Sequence, residues 1–201
     1  MSTSAKTTIG RPRQFDEEAV LSKLTTLFWQ QGYGQTSMTE IVEASGVHKP
    51  SLYRTFGTKE ELFATVLRRY LAERIVMFAA MIDQAGPGIE GLHRFLEMFE
   101  SDAISERGRD GCLMVMASNE LRGTLPGYDF STDYRRQMRG QIRNLISRAL
   151  PESEEDSEIV EARTDLFTTY LLGLQVIMRS GAAADEIHQY LKAMHLTVDA
   201  W

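Results

Sequence analysis

Residues 36–62 read TSMTEIVEASGVHKPSLYRTFGTKEEL, and this stretch decides the fold. Ser37 and Glu40 have the spacing of a capping box, which predicts a helix of about nine residues that stops at Gly46. Residues 49–56 suit a second short helix, because Pro50 is tolerated in a first helical turn. Two short helices joined by a glycine-containing turn are typical of the helix-turn-helix unit, whose second helix enters the major groove of DNA.

The helical spacing of apolar residues continues on both sides of this stretch. Asp16 suits the start of a first helix that ends at Gly32, and a second capping box at residues 58–61 opens a long helix to about Gln84. Further helical patterns cover roughly residues 89–105, 112–122, 130–149, 157–180 and 185–200. No sustained alternation of period two predicts a strand. We therefore expect an all-α protein of about nine helices, in which three short helices lead through a long connecting helix into a C-terminal bundle.

The composition bounds the class of protein. The chain has 201 residues, of which 43% are hydrophobic and 25% charged, as in a folded protein of one or two domains. No apolar run approaches the ~20 residues of a membrane helix, and the N-terminus lacks the apolar core of a signal peptide. We therefore expect a cytoplasmic protein with no membrane partner. The single cysteine, Cys112, excludes an internal disulfide, and without a Cys/His cluster we expect no metal site and no cofactor.

The charge is divided unevenly along the chain. The net charge of −6 argues, taken alone, against nucleic acid as the partner. Up to Lys59, however, there are seven basic and five acidic residues, whereas the remainder holds 15 basic and 23 acidic residues. The first fifteen residues carry three cations and no acid. We therefore predict a flexible basic arm at residues 1–14 ahead of a helix-turn-helix DNA-binding domain at residues 15–60.

The stretch quoted above resembles the N-terminal domain of TetR/AcrR-family transcriptional regulators. The shared features are the Ile/Val-x-x-x-x-Gly-Val turn, the Leu-Tyr-x-x-Phe helix, the Lys-Glu-x-Leu helix start and Phe-Trp-Gln-Gln-Gly-Tyr at residues 28–33. The resemblance covers roughly residues 11–70. It implies a ligand-responsive regulator, most often a repressor, that binds a palindromic operator of double-stranded DNA as a homodimer. A small, largely apolar effector, bound in a ligand-binding and dimerisation domain at residues 61–201, would release it.

The resemblance also implies roles for individual residues. Leu52 and Phe56, four apart, are predicted from their spacing to face inward against Ile41, which leaves the other side chains of this helix for DNA. Tyr53 and Lys59 are similar to the family's phosphate-contacting Tyr and Lys. The base-reading positions are held by His48, Lys49, Pro50 and Ser51. The other predicted DNA contacts are Tyr53, Arg54 and Lys59 on the rest of the recognition helix and the next helix start, Ser37 and Thr39 at the preceding helix start, and Arg11 and Arg13 in the arm.

Beyond residue 60, aromatic and Met side chains are dense, and most of them must belong to the core. Such residues also suit an adaptable apolar pocket, and the family binds its effectors among these helices. The candidates for the pocket are Phe78, Phe95, Phe99, Met114, Tyr134 and Tyr170. The last two long helices carry apolar faces that are broad for a monomer, and the resemblance implies that they form the dimer. The candidate contacts there are Leu166, Gly173, Leu174, Ile177, Leu191 and Met194.

Several alternatives remain open from the sequence. The broad faces of the last two helices could pack within one chain instead of across a dimer. Cys112 follows two nearby arginines and opens a helix, which would suit an electrophile or redox sensor, although such a cysteine is more often a small packing residue. A helical-bundle enzyme or a structural adaptor would also be all-α. We expect no enzyme, because no Glu-x-x-His pair recurs on two helices and no nucleotide-binding motif is present.

Overall fold

The structure is a computed structural model that describes residues 15–106, 108–120, 129–150 and 158–201. Within these ranges the chain is all-α, as predicted, with nine helices and no strand. The helices are α1 (Glu17–Gln31), α2 (Met38–Ser45), α3 (Lys49–Phe56), α4 (Lys59–Ala85), α5 (Ile89–Ala103), α6 (Leu113–Glu120), α7 (Phe130–Ala149), α8 (Glu158–Arg179) and α9 (Ala184–Asp199). The predicted basic arm, with Arg11 and Arg13, lies outside the described residues.

The predicted helix starts are confirmed by their caps. The Asp16 carboxylate accepts a hydrogen bond from the backbone N–H of Ala19 at the start of α1. Ser37 with Glu40 and Thr58 with Glu61 each form a complete capping box at the starts of α2 and α4. These side chains satisfy backbone donors that have no partner inside the helix, and so they fix where each helix begins.

The first three helices and the start of α4 form a compact head. Leu52 and Phe56 of α3 are 1% and 9% exposed, and Ile41 of α2 is fully buried, so the predicted inward face of α3 is confirmed. Phe28 of α1 packs against Phe63 of α4, with ring centroids 4.6 Å apart. α2 ends at Gly46, whose left-handed φ of +72° turns the chain sharply toward α3.

The long helix α4 leaves this head and enters a bundle, where it packs on α5 and α7. An aromatic cluster fills the centre of that bundle. Phe78 of α4 lies 5.9 Å from Phe95 of α5, and Phe95 lies 6.0 Å from Phe167 of α8, measured between ring centroids. All three rings are at most 2% exposed, and each contributes roughly 1.5–3 kcal/mol of burial free energy. The head and the bundle are therefore joined through one continuous helix.

Part of the predicted dimer surface is buried inside the single chain. The prediction is wrong for three residues that are at most 2% exposed and belong to the core of the bundle: Leu174, Leu191 and Met194. For these three residues the alternative interpretation, packing within one chain, is correct, because α9 packs on α5 and α8 of the same chain. Leu166, by contrast, is 50% exposed, Ile177 is half-buried, and Gly173 has nothing within 4 Å of the position of a Cβ atom.

Two kinds of feature are absent from the described residues. No helix there is long and apolar enough to cross a membrane. In that same part of the chain, no group of three or more His, Cys, Asp and Glu side chains is arranged to hold a metal ion.

Candidate DNA interface and adjoining cavity

The outer face of α3 carries most of the predicted DNA contacts. Because Leu52 and Phe56 face the core, the remaining side chains of this helix point away from it. His48, Lys49, Pro50 and Arg54 are exposed, and Tyr53 is 41% exposed. Ser51 is half-buried beside them. The structure thus brings all six predicted residues of the recognition helix to one accessible surface.

Two weak interactions organise this surface. A guanidinium N–H of Arg54 donates to the Ser51 hydroxyl at 3.3 Å. The Lys49 ammonium lies 5.8 Å from the centre of the Tyr53 ring. An exposed cation–π contact at this distance contributes only ~0.5–1 kcal/mol, so DNA phosphates can replace it at little cost.

The start of α3 offers phosphate few backbone donors. Pro50 has no N–H, and the N–H of Ser51 donates to the carbonyl of His48 at 2.9 Å. His48 occupies the N-cap position without a capping hydrogen bond from its side chain. The imidazole of His48 is therefore not committed to the cap, and this helix start presents side-chain donors more than backbone donors.

The start of α2 presents two further predicted contacts. Ser37 and Thr39 are both exposed. The Ser37 oxygen accepts from the N–H of Glu40 at 3.2 Å, while its own N–H donates to the Glu40 carboxylate at 2.7 Å. These bonds lower the pKa of Glu40, the largest cause being the backbone N–H of Ser37. The Ser37 side chain also helps to lower this pKa by its hydrogen bond to the carboxylate, so a phosphate contact by the Ser37 hydroxyl would replace that bond.

Lys59 is held by a residue that sequence reasoning missed. Its ammonium donates to the backbone carbonyl of Tyr33 at 2.7 Å and lies 4.2 Å from the centre of the Tyr33 ring. The Tyr33 hydroxyl donates to the Glu60 carboxylate at 2.7 Å. Burial, with this carboxylate adding to it, raises the pKa of Tyr33. An ammonium has three N–H groups, so one bond to Tyr33 positions Lys59 and leaves donors for a phosphate.

The bundle contacts the head at the turn between α1 and α2. The Glu120 carboxylate, at the end of α6, accepts from the N–H of Tyr33 at 2.6 Å and more weakly from that of Gly34 at 3.4 Å. Gly32 makes this approach possible: its φ is +81°, and a Cβ atom there would lie 2.5 Å from a carboxylate oxygen of Glu120. Arg179, at the end of α8, donates to the carbonyl of Gln30 at 3.2 Å. No local sequence signal could reveal these contacts, because the partners are far apart in the chain.

A cavity of about 350 Å³ lies between α6, α7 and α8. Its size falls within the range of small-molecule sites. It is lined by Met114, Val115, Ser118, Ser131, Tyr134, Arg135, Thr169, Leu172, Gly173 and Val176. Two of the six predicted pocket residues, Met114 and Tyr134, are among them.

The other four predicted pocket residues lie elsewhere. Phe78 and Phe99 line a separate void of about 10 Å³, whose wall Tyr134 shares. Phe95 lies in the aromatic core, and Tyr170 donates its hydroxyl to the carbonyl of Tyr190; neither lines either of these two cavities. Helical spacing identified them as inward-facing, but it does not distinguish a filled core from the wall of a cavity.

Cys112 is 2% exposed and lies directly before α6. Its thiol donates to the Tyr134 hydroxyl at 3.4 Å and accepts from the Tyr70 hydroxyl at 3.6 Å. Burial raises the pKa of both tyrosines well above the ordinary value. A buried thiol between two neutral hydroxyls is shielded from solvent reagents, which favours the packing role over the sensor role.

Comparisons with known proteins agree with this geometry. A family model described as bacterial regulatory proteins of the tetR family matches residues 20–66, which span the head and the start of α4. The HTH-type transcriptional repressor ComR of Escherichia coli K12 is 50% identical over 186 residues, covering 90% of this chain and 87% of ComR. The repressor BdcR of the same organism is 27% identical over 179 residues, covering 89% of this chain and 86% of BdcR.

A solved structure extends the similarity to a DNA complex. The TetR-family regulator CifR, as a triple cysteine mutant bound to a 26-bp double-strand operator, superposes with a TM-score of 0.78 at 26% identity. The superposition covers 96% of this chain and 100% of the CifR chain. Both the head and the bundle thus have counterparts in a protein captured on its operator.

Proposed function

Because this chain belongs to the TetR family of bacterial regulatory proteins, we propose that it represses transcription as a homodimer on a palindromic operator and is released by a small, largely apolar effector. The chain is a DNA-binding transcriptional regulator and not an enzyme, as its sequence predicted. Repression comes from the relatives: ComR and BdcR are both repressors. The regulator acts in the cytoplasm, where bacterial DNA lies.

The observation that carries the DNA half of the proposal is the exposed outer face of α3 above a buried inner face. Its side chains read bases in the major groove, while Lys59 and the start of α2 contact phosphates on either side. In this scheme the DNA-binding domain comprises residues 15–60, and the arm at residues 1–14 reaches an adjacent groove. The proposed contacts are Arg11, Arg13, Ser37, Thr39, His48, Lys49, Pro50, Ser51, Tyr53, Arg54 and Lys59.

The response to an effector is supported by the two roles of α6. Ser118 of α6 lines the cavity, and Glu120, two residues later, contacts the backbone of Tyr33 in the head. An effector that shifts α6 therefore moves the turn between α1 and α2 and changes how the head meets DNA. The domain at residues 61–201 thus binds the effector and transmits its presence, and only a ligand that distinguishes the two arrangements releases the protein.

A dimer is supported by apolar side chains that α8 and α9 leave exposed. Isolated exposed apolar residues are ordinary, but here several lie on two neighbouring helices. They include Leu166 at 50%, Tyr190 at 42% and Leu196 at 64% exposure. A two-fold dimer through these helices would pair two heads with the two half-sites of a palindrome.

A direct test measures binding to the DNA that flanks the protein's own coding region, by fluorescence anisotropy against unrelated DNA of equal length. We expect a preference of about a thousandfold or more at physiological salt, as for specific regulators, and a dimer mass by light scattering. Arg54→Gln should weaken binding, whereas Arg109→Gln, an equal charge change at an exposed position of the bundle, should not. No preference over unrelated DNA, or a monomer at micromolar concentration, would overturn the proposal.

A further inference from the structure

We propose that the cavity between α6, α7 and α8 takes an anionic amphiphile, a molecule with an apolar body and a carboxylate or similar acidic head. This inference rests on the proposed function, because it names the chemical class of the effector. It narrows the largely apolar effector expected from the sequence to one that carries a negative charge.

The polar groups of the cavity wall favour a ligand of negative charge. Five of the ten lining residues have polar side chains, and every one can donate a hydrogen bond: Ser118, Ser131, Tyr134, Arg135 and Thr169. Among the described residues, the wall contains no carboxylate, and its one charged group is the guanidinium of Arg135. Such a set of donors complements an acceptor-rich anion and leaves a ligand ammonium without a counter-charge.

The two ends of the cavity differ in burial, which orients the ligand. Met114 and Tyr134 are 1% and 4% exposed, so they form the inner end, whereas Arg135 and Val176 lie at the solvent side. Removing a charge from water is costly, and an apolar chain gains by leaving it. The apolar body of the ligand therefore points toward Met114, and its anionic group stays beside Arg135.

The guanidinium of Arg135 has donors to spare. One N–H donates to the hydroxyl of Thr132 at 3.1 Å. The nearby acid Asp129 caps α7 by accepting from the N–H of Thr132 at 3.0 Å. The pKa of Asp129 is lowered mainly by its hydrogen bonds from Thr132 and to a lesser extent by the charge of Arg135. A guanidinium carries five N–H groups, so these neighbours leave several for a carboxylate.

The test compares three probes with the same ten-carbon chain and different polar groups: decanoate, decanol and decylamine, each below its micelle concentration. Binding to the full-length protein is measured by calorimetry at low ionic strength. We expect affinity to fall in the order decanoate, decanol, decylamine. In Arg135→Gln the preference for decanoate over decanol should fall about threefold to tenfold, the range for a charge-assisted contact at a partly exposed site. Arg136→Gln is the matched control, because Arg136 is the next residue, does not line the cavity and pairs with Asp133.

A second pair of variants tests the location. Gly173 lines the cavity, whereas Gly140 lies on α7 away from it, and both have open space where a Cβ would be added. Gly173→Leu should fill the cavity and weaken decanoate binding at least tenfold, while Gly140→Leu should leave it unchanged. Both variants add the same side chain to a helix, so intrinsic helix stability changes alike.

The outcomes separate this inference from the function on which it rests. The expected order of the probes, lost in Arg135→Gln and kept in Arg136→Gln, supports the inference. Equal binding of all three probes, tighter binding of decylamine, or decanoate binding that survives Gly173→Leu would overturn it. If no probe binds while the protein still selects its operator, the inference fails and the DNA-binding function stands. If the operator itself is not selected, the proposed function fails as well.

Discussion

The contact between Glu120 and the head offers the sharpest test of the proposal that the bundle controls DNA binding. Replacing Glu120 by Gln keeps the size of the side chain and removes its charge. The 2.6 Å bond from the N–H of Tyr33 then loses its charge assistance. Hydrogen bonds to charged groups are worth roughly 1.5–3 kcal/mol, and Glu120 is exposed to screening solvent, so we expect a loss of about 1 kcal/mol. That corresponds to a factor of about five in the equilibrium that this contact biases.

Two measurements follow the perturbation from the contact to the function. Hydrogen exchange should show the amides of Tyr33 and Gly34 exchanging about fivefold faster in Glu120→Gln, because the carboxylate protects them only while the contact is made. The loss of operator affinity caused by a saturating effector should also be about fivefold smaller, since less of the movement of α6 reaches the head. Glu97→Gln, the same change at an exposed position of α5, controls for the altered net charge.

Two results would refute this reasoning. Unchanged exchange at Tyr33 in Glu120→Gln would mean that the carboxylate does not hold the turn. Faster exchange with an undiminished effector response would mean that the contact is structural and that another route, such as the bond between Arg179 and the carbonyl of Gln30, carries the coupling.

Three further predictions concern other parts of the chain. Lys59→Ala should weaken binding to all DNA sequences and reduce the slope of log affinity against log salt by about 1, and an unchanged slope would count against a phosphate contact. Burial lowers the pKa of His195, whose Nδ1 lies 2.6 Å from the Nδ1 of His93. As the pH falls, the unfolded chain therefore binds a proton at this residue before the folded chain does. Thermal stability should therefore fall as pH drops below about 6.5, less so in His195→Gln than in the control His188→Gln; equal pH profiles in both would contradict this. Cys112→Ser should keep operator binding insensitive to oxidants, as in the wild type; oxidant-induced release lost only in this variant would restore the sensor role.

The sequence predicted well those features that depend on neighbours in the chain. A capping box needs residues three apart, so Ser37 and Glu40 identify the start of α2 without any tertiary information. The inward face of α3 follows in the same way from Leu52 and Phe56, one helical turn apart. Both features belong to the helix-turn-helix unit, and so the local geometry of this unit was the most predictable part of the molecule.

The predictions that failed depend on which helix packs against which. Leu191 and Met194 form an apolar stripe whether they meet α5 of the same chain or a second subunit, and only the packing of α9 on α5 decides between the two. The cavity poses the same difficulty, because Phe95 and Met114 have equally inward positions. One faces other aromatic rings and the other faces open space, a difference set by how closely the surrounding helices approach.

Tyr33 takes part in contacts within the head and also in a contact with the bundle. Its carbonyl positions the Lys59 ammonium, its hydroxyl binds Glu60, and its N–H is held from the bundle by Glu120. The N–H and the carbonyl of this residue belong to two successive peptide planes that meet at one Cα, so a movement of α6 that displaces the N–H acts on the carbonyl through a single residue. The cation proposed to contact phosphate, Lys59, is thus positioned by the same turn that Glu120 of the bundle contacts. A protein with a net charge of −6 has little bulk attraction for DNA. The loss of one well-placed cation therefore removes a larger share of its electrostatic binding free energy than it would for a strongly basic protein.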